Sequence, residues 1–221
     1  MNNKSACPLT HKRYAWKLPF LVLLVSTGCS DPTSVSKDNF GKAAQTFLDT
    51  QYPQCFFTLD LPGKVDDTDV EQDAIMHALA NVGAIKETGL YRKQMRVSPA
   101  QPAVHDVTTY YFQLGSAGQP YYTREAKQSS SGKWQGGFCF GRARVEQVHS
   151  FTVPVESMGV TRSTVRFSYS VTDIPDWAKA SALVALNNSL MLIVASEKHP
   201  FEEEAVFVRT DSGWAHQGLV K

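Results

Sequence analysis

Val165-Arg-Phe-Ser-Tyr-Ser-Val171 decides the reading of this chain. Val165, Phe167, Tyr169 and Val171 alternate with Arg166, Ser168 and Ser170. A two-residue period places one set on each face of a pleated strand. One apolar and one polar face describe a half-buried antiparallel strand. Upstream, Arg142 to Val153 alternates through Ala143, Val145, Val148 and Phe151, and its phase slips between Val145 and Val148. That slip predicts a β-bulge. Downstream, Ile174-Pro-Asp-Trp177 predicts a helix of about ten residues with proline near its first turn. Leu190–Ala195 and Ala205–Thr210 read as late strands. Asp211-Ser-Gly213 reads as a hairpin turn before Trp214.

Moving further toward the N-terminus, strands continue back to about His105. Val107 to Leu114, a Gly115-Ser-Ala-Gly118 turn and Tyr121 to Glu125 predict a hairpin. Ser129-Ser-Ser-Gly132 predicts another turn before Trp134 to Phe140. Helical spacing rules the earlier chain. Phe40, Ala43, Ala44, Phe47 and Leu48 share one face of a helix from about Asn39 to Thr50, which Pro53 ends. Thr68 and Glu71 match a capping box. Ala74, Ile75, Ala78, Leu79 and Val82 form the stripe of a second helix, read as core-facing, and Gly83 stands where a left-handed cap belongs. The expected class is α+β: N-terminal helices followed by a curved antiparallel β-sheet with a covering helix. The expected division is a helical part at 39–103 and a β-rich part at 104–221, two lobes stapled by a disulfide.

The first thirty residues carry the clearest statement about location. Lys4, Lys12, Arg13 and Lys17 precede the apolar run Leu18–Val25, and Ser26, Thr27, Gly28 and Cys29 follow. A basic start, a short apolar run and a small-residue exit describe a secretory signal over 1–28. The run is roughly half of what a spanning helix needs. Gly28-Cys29 resembles the lipobox of bacterial lipoproteins, with Ser26 where that family prefers leucine. The resemblance implies lipidation of Cys29 as the first mature residue. Ser30, rather than aspartate, implies placement in the outer membrane, facing the periplasm. The lipids of such a cysteine suffice for a stable membrane anchor. The alternative is ordinary cleavage near Gly28, which gives a soluble exported protein. Residues 29–38, polar and turn-rich, read as a lipidated tether.

A second resemblance covers about a sixth of the chain. Phe151-Thr-x-Pro154, Met158-Gly159, Val165-x-Phe-x-Tyr-x-Val171 and Pro175-x-Trp177-Ala178 are similar to a segment of uncharacterised bacterial envelope lipoproteins. That family carries no assigned chemistry, so the similarity implies location and not mechanism.

Composition fits an exported globular domain. Taking the four basic residues of the signal from 22 leaves 18 against 21 acidic ones, a net charge of about −3. Such a balance offers no footprint for nucleic acid. Four cysteines are present. Cys7 leaves with the signal, Cys29 takes the lipid, and Cys55 and Cys139 remain. An oxidising compartment favours pairing them, and two buried free thiols are the alternative. Neither adjoins a histidine in sequence, which argues against a catalytic thiol.

No signature of chemistry emerges. Ser34-Val-Ser-Lys37 and Ser130-Ser-Gly-Lys133 match S-x-x-K, but its S-D-N and K-T-G partners do not occur. Glycine-rich phosphate loops and nucleophile elbows are absent too. His77, His105, His149, His199 and His216 are scattered, so no metal site is expected. His105 and Asp106 are strand neighbours on opposite faces. Glu202–Glu204 reads as a solvated loop edge, with a cation or basic partner as the alternative. Tyr110, Phe112, Tyr121 and Tyr122, with Tyr111 between, cluster across the predicted hairpin; cross-strand aromatic pairing explains most of the cluster, and a recognition surface for peptide, glycan or partner is the alternative reading.

The functional expectation is a non-catalytic, membrane-anchored envelope lipoprotein acting as an accessory or binding module. Its partners would be the membrane, through Cys29, and an envelope protein. No cofactor and no catalytic residue is assigned. The alternatives are a periplasmic hydrolase acting on cell-wall or antibiotic substrates and a small-ligand carrier.

Overall fold

The computed structural model describes residues 31–98 and 101–220, with the side chains of 95–98 and 101–105 left undescribed. The signal at 1–28 and the lipidation of Cys29 lie outside these residues, as does the His105 side chain. Among the described residues the fold mixes four α-helices with antiparallel strands, and the main sheet curls into half a barrel.

The main sheet is built on β9 (Val160–Thr172). On one side lies β10 (Phe201–Thr210), which also pairs with β11 (Gly213–His216). On the other side lies β7 (Arg142–Phe151), continued by the short β8 (Val155–Ser157). Val165, Phe167 and Val171 are fully buried and Arg166 is exposed, but Ser168 and Ser170, expected on the polar face, are buried too, so the second half of β9 is covered on both faces. Register shifts between Val145 and Gln147 and between Val148 and Ser150 are the bulge that the phase slip implied, plus a second one.

Helix α1 (Lys37–Leu48) lies across this sheet. Ser36 caps it, its side chain accepting the Asn39 N–H. Phe40 is fully buried, with ring centroids 4.8 Å from Trp214 and 5.0 Å from Phe151. β7 is an edge strand, and Gln45 covers part of that edge. Its amide donates to the Ala143 carbonyl at 2.8 Å, and its oxygen accepts the Val145 N–H at 2.9 Å. A side chain thus satisfies backbone groups that an exposed edge would offer to another strand.

Two smaller sheets complete the fold. One has the order β1 (Gln54–Phe56), β6 (Trp134–Phe140), β5 (Tyr122–Gln128). The other has the order β2 (Gly63–Asp66), β4 (Gln101–Leu114), β3 (Ile85–Ser98). Helix α2 (Val70–Asn81) packs Met76 and Leu79 into a core shared with Phe56, Phe138, Leu183 and Leu190. Gly83, at φ 73, ends it in a Schellman arrangement: the Gly83 N–H donates to Ala80 and the Ala84 N–H to Leu79.

Several expectations are corrected here. Residues 39–103 are not a helical part, because β1, β2 and most of the long β3–β4 hairpin fall within them. Asp31–Lys221 forms one compact unit, not two lobes. The cap of α2 is Asp69, whose side chain accepts the Gln72 N–H, one position after Thr68. β4 and β5 do not form a hairpin, since they belong to different sheets. The turn between them is pressed against the end of α2, where a methyl on Gly118 would collide with the Ala84 carbonyl and the Phe138 ring. Residues 188–195 are helix α4 (Asn188–Ala195), capped by Asn187 and preceded by α3 (Ser181–Leu186). The predicted ten-residue helix at Ile174 is a 3₁₀ turn, Asp176–Lys179, followed by α3.

The segment 31–36 is no loose tether. Asn39 donates to the carbonyls of Asp31 and Ser34, each at 2.9 Å, and the Trp214 indole donates to Ser34 at 3.2 Å. These bonds fasten the segment beside β11.

Candidate functional site

β9 ends at Thr172, and Asp173 turns the chain with a left-handed backbone, φ 57. Ile174 and Pro175 then carry it to the 3₁₀ turn that presents Trp177. Across from Trp177 stands Tyr121, just ahead of β5. Their ring centroids are 6.1 Å apart, edge to face. Trp177 also meets Phe138 at 5.4 Å and Phe140 at 5.5 Å. Its indole N–H is buried without a hydrogen-bond partner among the described residues. Such an orphaned donor is unusual, because buried polar groups are nearly always paired.

Two shallow depressions meet at Tyr121 and Asp173. One, of about 720 Å³, runs along Ser116, Pro120, Asp176 and Trp177. The other, of about 400 Å³, runs along Asp49, Tyr52, Phe140 and Arg142. Together they form a groove with aromatic walls and a rim carrying Asp49, Asp173 and Asp176 against Arg142. All four charged residues are exposed. Aromatic faces with a few convergent polar groups are the usual make-up of a recognition site.

A polar cluster lies behind the second depression, where Tyr52 and Tyr169 touch both core clusters. Glu203, on the inward face of β10, stands beside them. Burial raises the pKa of Tyr52, with Tyr169 adding to it. Burial, then Glu203, raises that of Tyr169. Burial likewise raises the Glu203 carboxyl. At neutral pH both phenols keep their protons. The pair therefore offers hydrogen bonds rather than a base or a nucleophile.

The expected recognition residues are dispersed. Phe112 is only 1% exposed and belongs to the core, so it is no surface residue. Tyr110 packs edge to face against His77, centroids 4.6 Å apart. The Tyr122 hydroxyl accepts the Leu61 N–H at 2.9 Å and donates toward the Leu59 carbonyl at 3.3 Å, so it latches a loop to β5. Tyr121 alone reaches the groove. Trp177, Asp173, Arg142 and Tyr52 were missed, because they lie in turns and at strand ends with no shared period. The Asp-Ile-Pro-Asp-Trp run marks a turn, and that was the one available signal.

The remaining candidates resolve simply. Cys55 and Cys139 form a disulfide between β1 and β6. They face each other in register, and the Cys139 N–H donates to Tyr121 on the opposite side. A non-hydrogen-bonded pair of this kind holds its side chains closest. Glu202–Glu204 lies within β10 and not at a loop edge, with Glu202 paired to Arg166 across the strand. Ser34 bonds to the Asp31 carbonyl and to Asn39, and Ser130 is exposed in a turn. Among the described residues no cluster could hold a metal ion, and no helix is long and apolar enough to cross a membrane. Compared with protein-family models, curated proteins and solved structures, the chain matches none.

Proposed function

We propose that this protein is a non-catalytic envelope lipoprotein, anchored in the outer membrane through Cys29, whose groove beside Trp177 binds a segment of an envelope protein. The groove carries the proposal: aromatic walls and an acidic rim. An extended segment with a basic and an apolar side chain would answer both features. Its cation would face Asp173 and Asp176, and its apolar side chain would lie against Tyr121. The Cys55–Cys139 bond supports export, since disulfides persist in oxidising compartments. The basic start and the Gly28-Cys29 motif support the anchor.

Two measurements test this. Cys29→Ala should abolish lipid-modified peptide by mass spectrometry and release the protein from membrane fractions; unchanged membrane association would refute the anchor. A photo-crosslinking residue at the exposed Ser116, on the groove wall, should trap one envelope protein in intact cells. Asp176→Lys should abolish that adduct while leaving the fold unchanged. An adduct indifferent to the charge reversal would refute recognition through the groove.

A further inference from the structure

One end of the main sheet gathers features that the fold itself does not need. β8, β9, β10 and β11 align there in a row through Val155, Arg162, Val208 and Ala215. The next row, Ser157–Val160 and Thr210–Gly213, closes into two turns that project from the same end. In the first turn Met158 and Gly159 both have left-handed backbones, φ 53 and 73. That geometry favours asparagine, aspartate or glycine at its first position. Methionine instead holds it, and it is 100% exposed. Val153 is 83% exposed and Val155 65%. A strained apolar tip with apolar flanks breaks local rules without any packing gain, and such departures mark function.

The chain arrives at this same end. Pro32 lies against Gly213, its carbonyl oxygen 3.1 Å from where a β-carbon would sit, and Asp31 senses the charge of Arg209. Cys29 is two residues before Asp31, a span of at most about 7 Å. Strands sit roughly 4.8 Å apart, so β8 lies within about 15 Å of β11. Chain length therefore keeps a lipid on Cys29 close to the end of the sheet that carries the Met158 turn.

We infer that the β8–β9 turn is a second membrane contact, in which Met158, Val153 and Val155 enter the boundary between headgroups and acyl chains beside the Cys29 lipid. The inference rests on the anchored-lipoprotein reading. Arg162 and Arg209 share this end with Asp31, Glu156 and Asp211, so the charges nearly cancel. The contact is consequently apolar, and it requires neither anionic lipid nor low salt.

The experiment uses full-length lipidated protein in vesicles of phosphatidylcholine and phosphatidylethanolamine. A single cysteine replaces Met158, or Ser116 at the groove end as a control, and carries an environment-sensitive fluorophore. Met158 makes no packing contact that the substitution could disturb. The expected result is a blue shift at position 158 and loss of its emission in vesicles of acyl-brominated lipid, unchanged by salt, with neither effect at 116. Vesicle-bound, lipidated protein whose label at 158 stays in water would overturn this inference and leave the anchor standing. Protein that fails to float with vesicles, and whose Cys29 takes the fluorophore, would overturn the anchor and this inference together. Shielding of 158 in whole envelopes but not in pure lipid would overturn it in favour of a protein partner.

Discussion

Replacing both Cys55 and Cys139 with alanine should destabilise the domain through its unfolded state. The bond closes a loop of 84 residues. Loop-closure entropy for that length gives roughly 4.5 kcal/mol at 25 °C. Little packing is lost with the sulfurs, because Cys55 is exposed and Cys139 half-buried. The entropic part should therefore dominate. β1 is only three residues long and sits at the edge of its sheet, held by β6 alone. The stacking of Phe56 on Phe140, centroids 4.8 Å apart, keeps it in place without the bond. The folded state should thus survive, with its spectrum unchanged. For a domain of this size the urea slope is about 2–3 kcal/mol per molar, so the midpoint should fall by roughly 1.5–2 M. Reduced wild-type protein should unfold at the midpoint of the double variant. A fall under about 0.5 M at constant slope would refute the reasoning, because the crosslink would then restrict nothing in the denatured chain. Two alkylatable thiols in the native protein would remove the premise.

Two further outcomes follow from the core. Phe40→Ala removes a fully buried ring packed among Phe151, Phe207 and Trp214 and should cost about 3–5 kcal/mol in urea unfolding, while a loss below ~1 kcal/mol would mean that α1 does not dock as described. Glu203→Gln should flatten the pH dependence of stability. The folded carboxyl holds its proton above the ordinary value of 4.5, so the wild type loses stability as pH rises through and beyond that value, and the full penalty stands above the folded pKa. The variant carries no such penalty and should be the more stable of the two at pH 7. A wild type whose stability rises across that window because of Glu203 would contradict the sign.

Legibility in the sequence varied with the regularity of burial. β9 was readable because its large apolar residues recur at every second position, and the slip in β7 because the phase of burial changes there. Gly83 was readable because only one backbone conformation ends α2 so tightly. Leu190–Ala195 misled because an apolar run of six fits a buried strand and a buried helix equally, and the capping Asn187 was the deciding residue. β3 escaped notice because Lys86–Lys93 is exposed on both faces, and its apolar residues Leu90 and Tyr91 are adjacent, so it has no alternation to read. Its long pairing with β4 supplies the order that side-chain pattern does not. The groove was illegible for a related reason. Tyr52, Tyr121, Asp173 and Trp177 are brought together by three loops and a strand end, and sequence spacing records none of that convergence.

The thirteen residues of β9 run from the Met158 turn to Asp173. At about 3.3 Å per residue that is roughly 40 Å of continuous strand, flanked on both sides. Because residues 31–36 are hydrogen-bonded down rather than loose, this length works as a rigid mast and not as a leash. Whatever occupies the Trp177 groove is held at a set height from the point where the polypeptide arrives. Under the proposed function a partner would have to extend to that height, and shortening the strand would lower the groove by about 7 Å for every two residues removed.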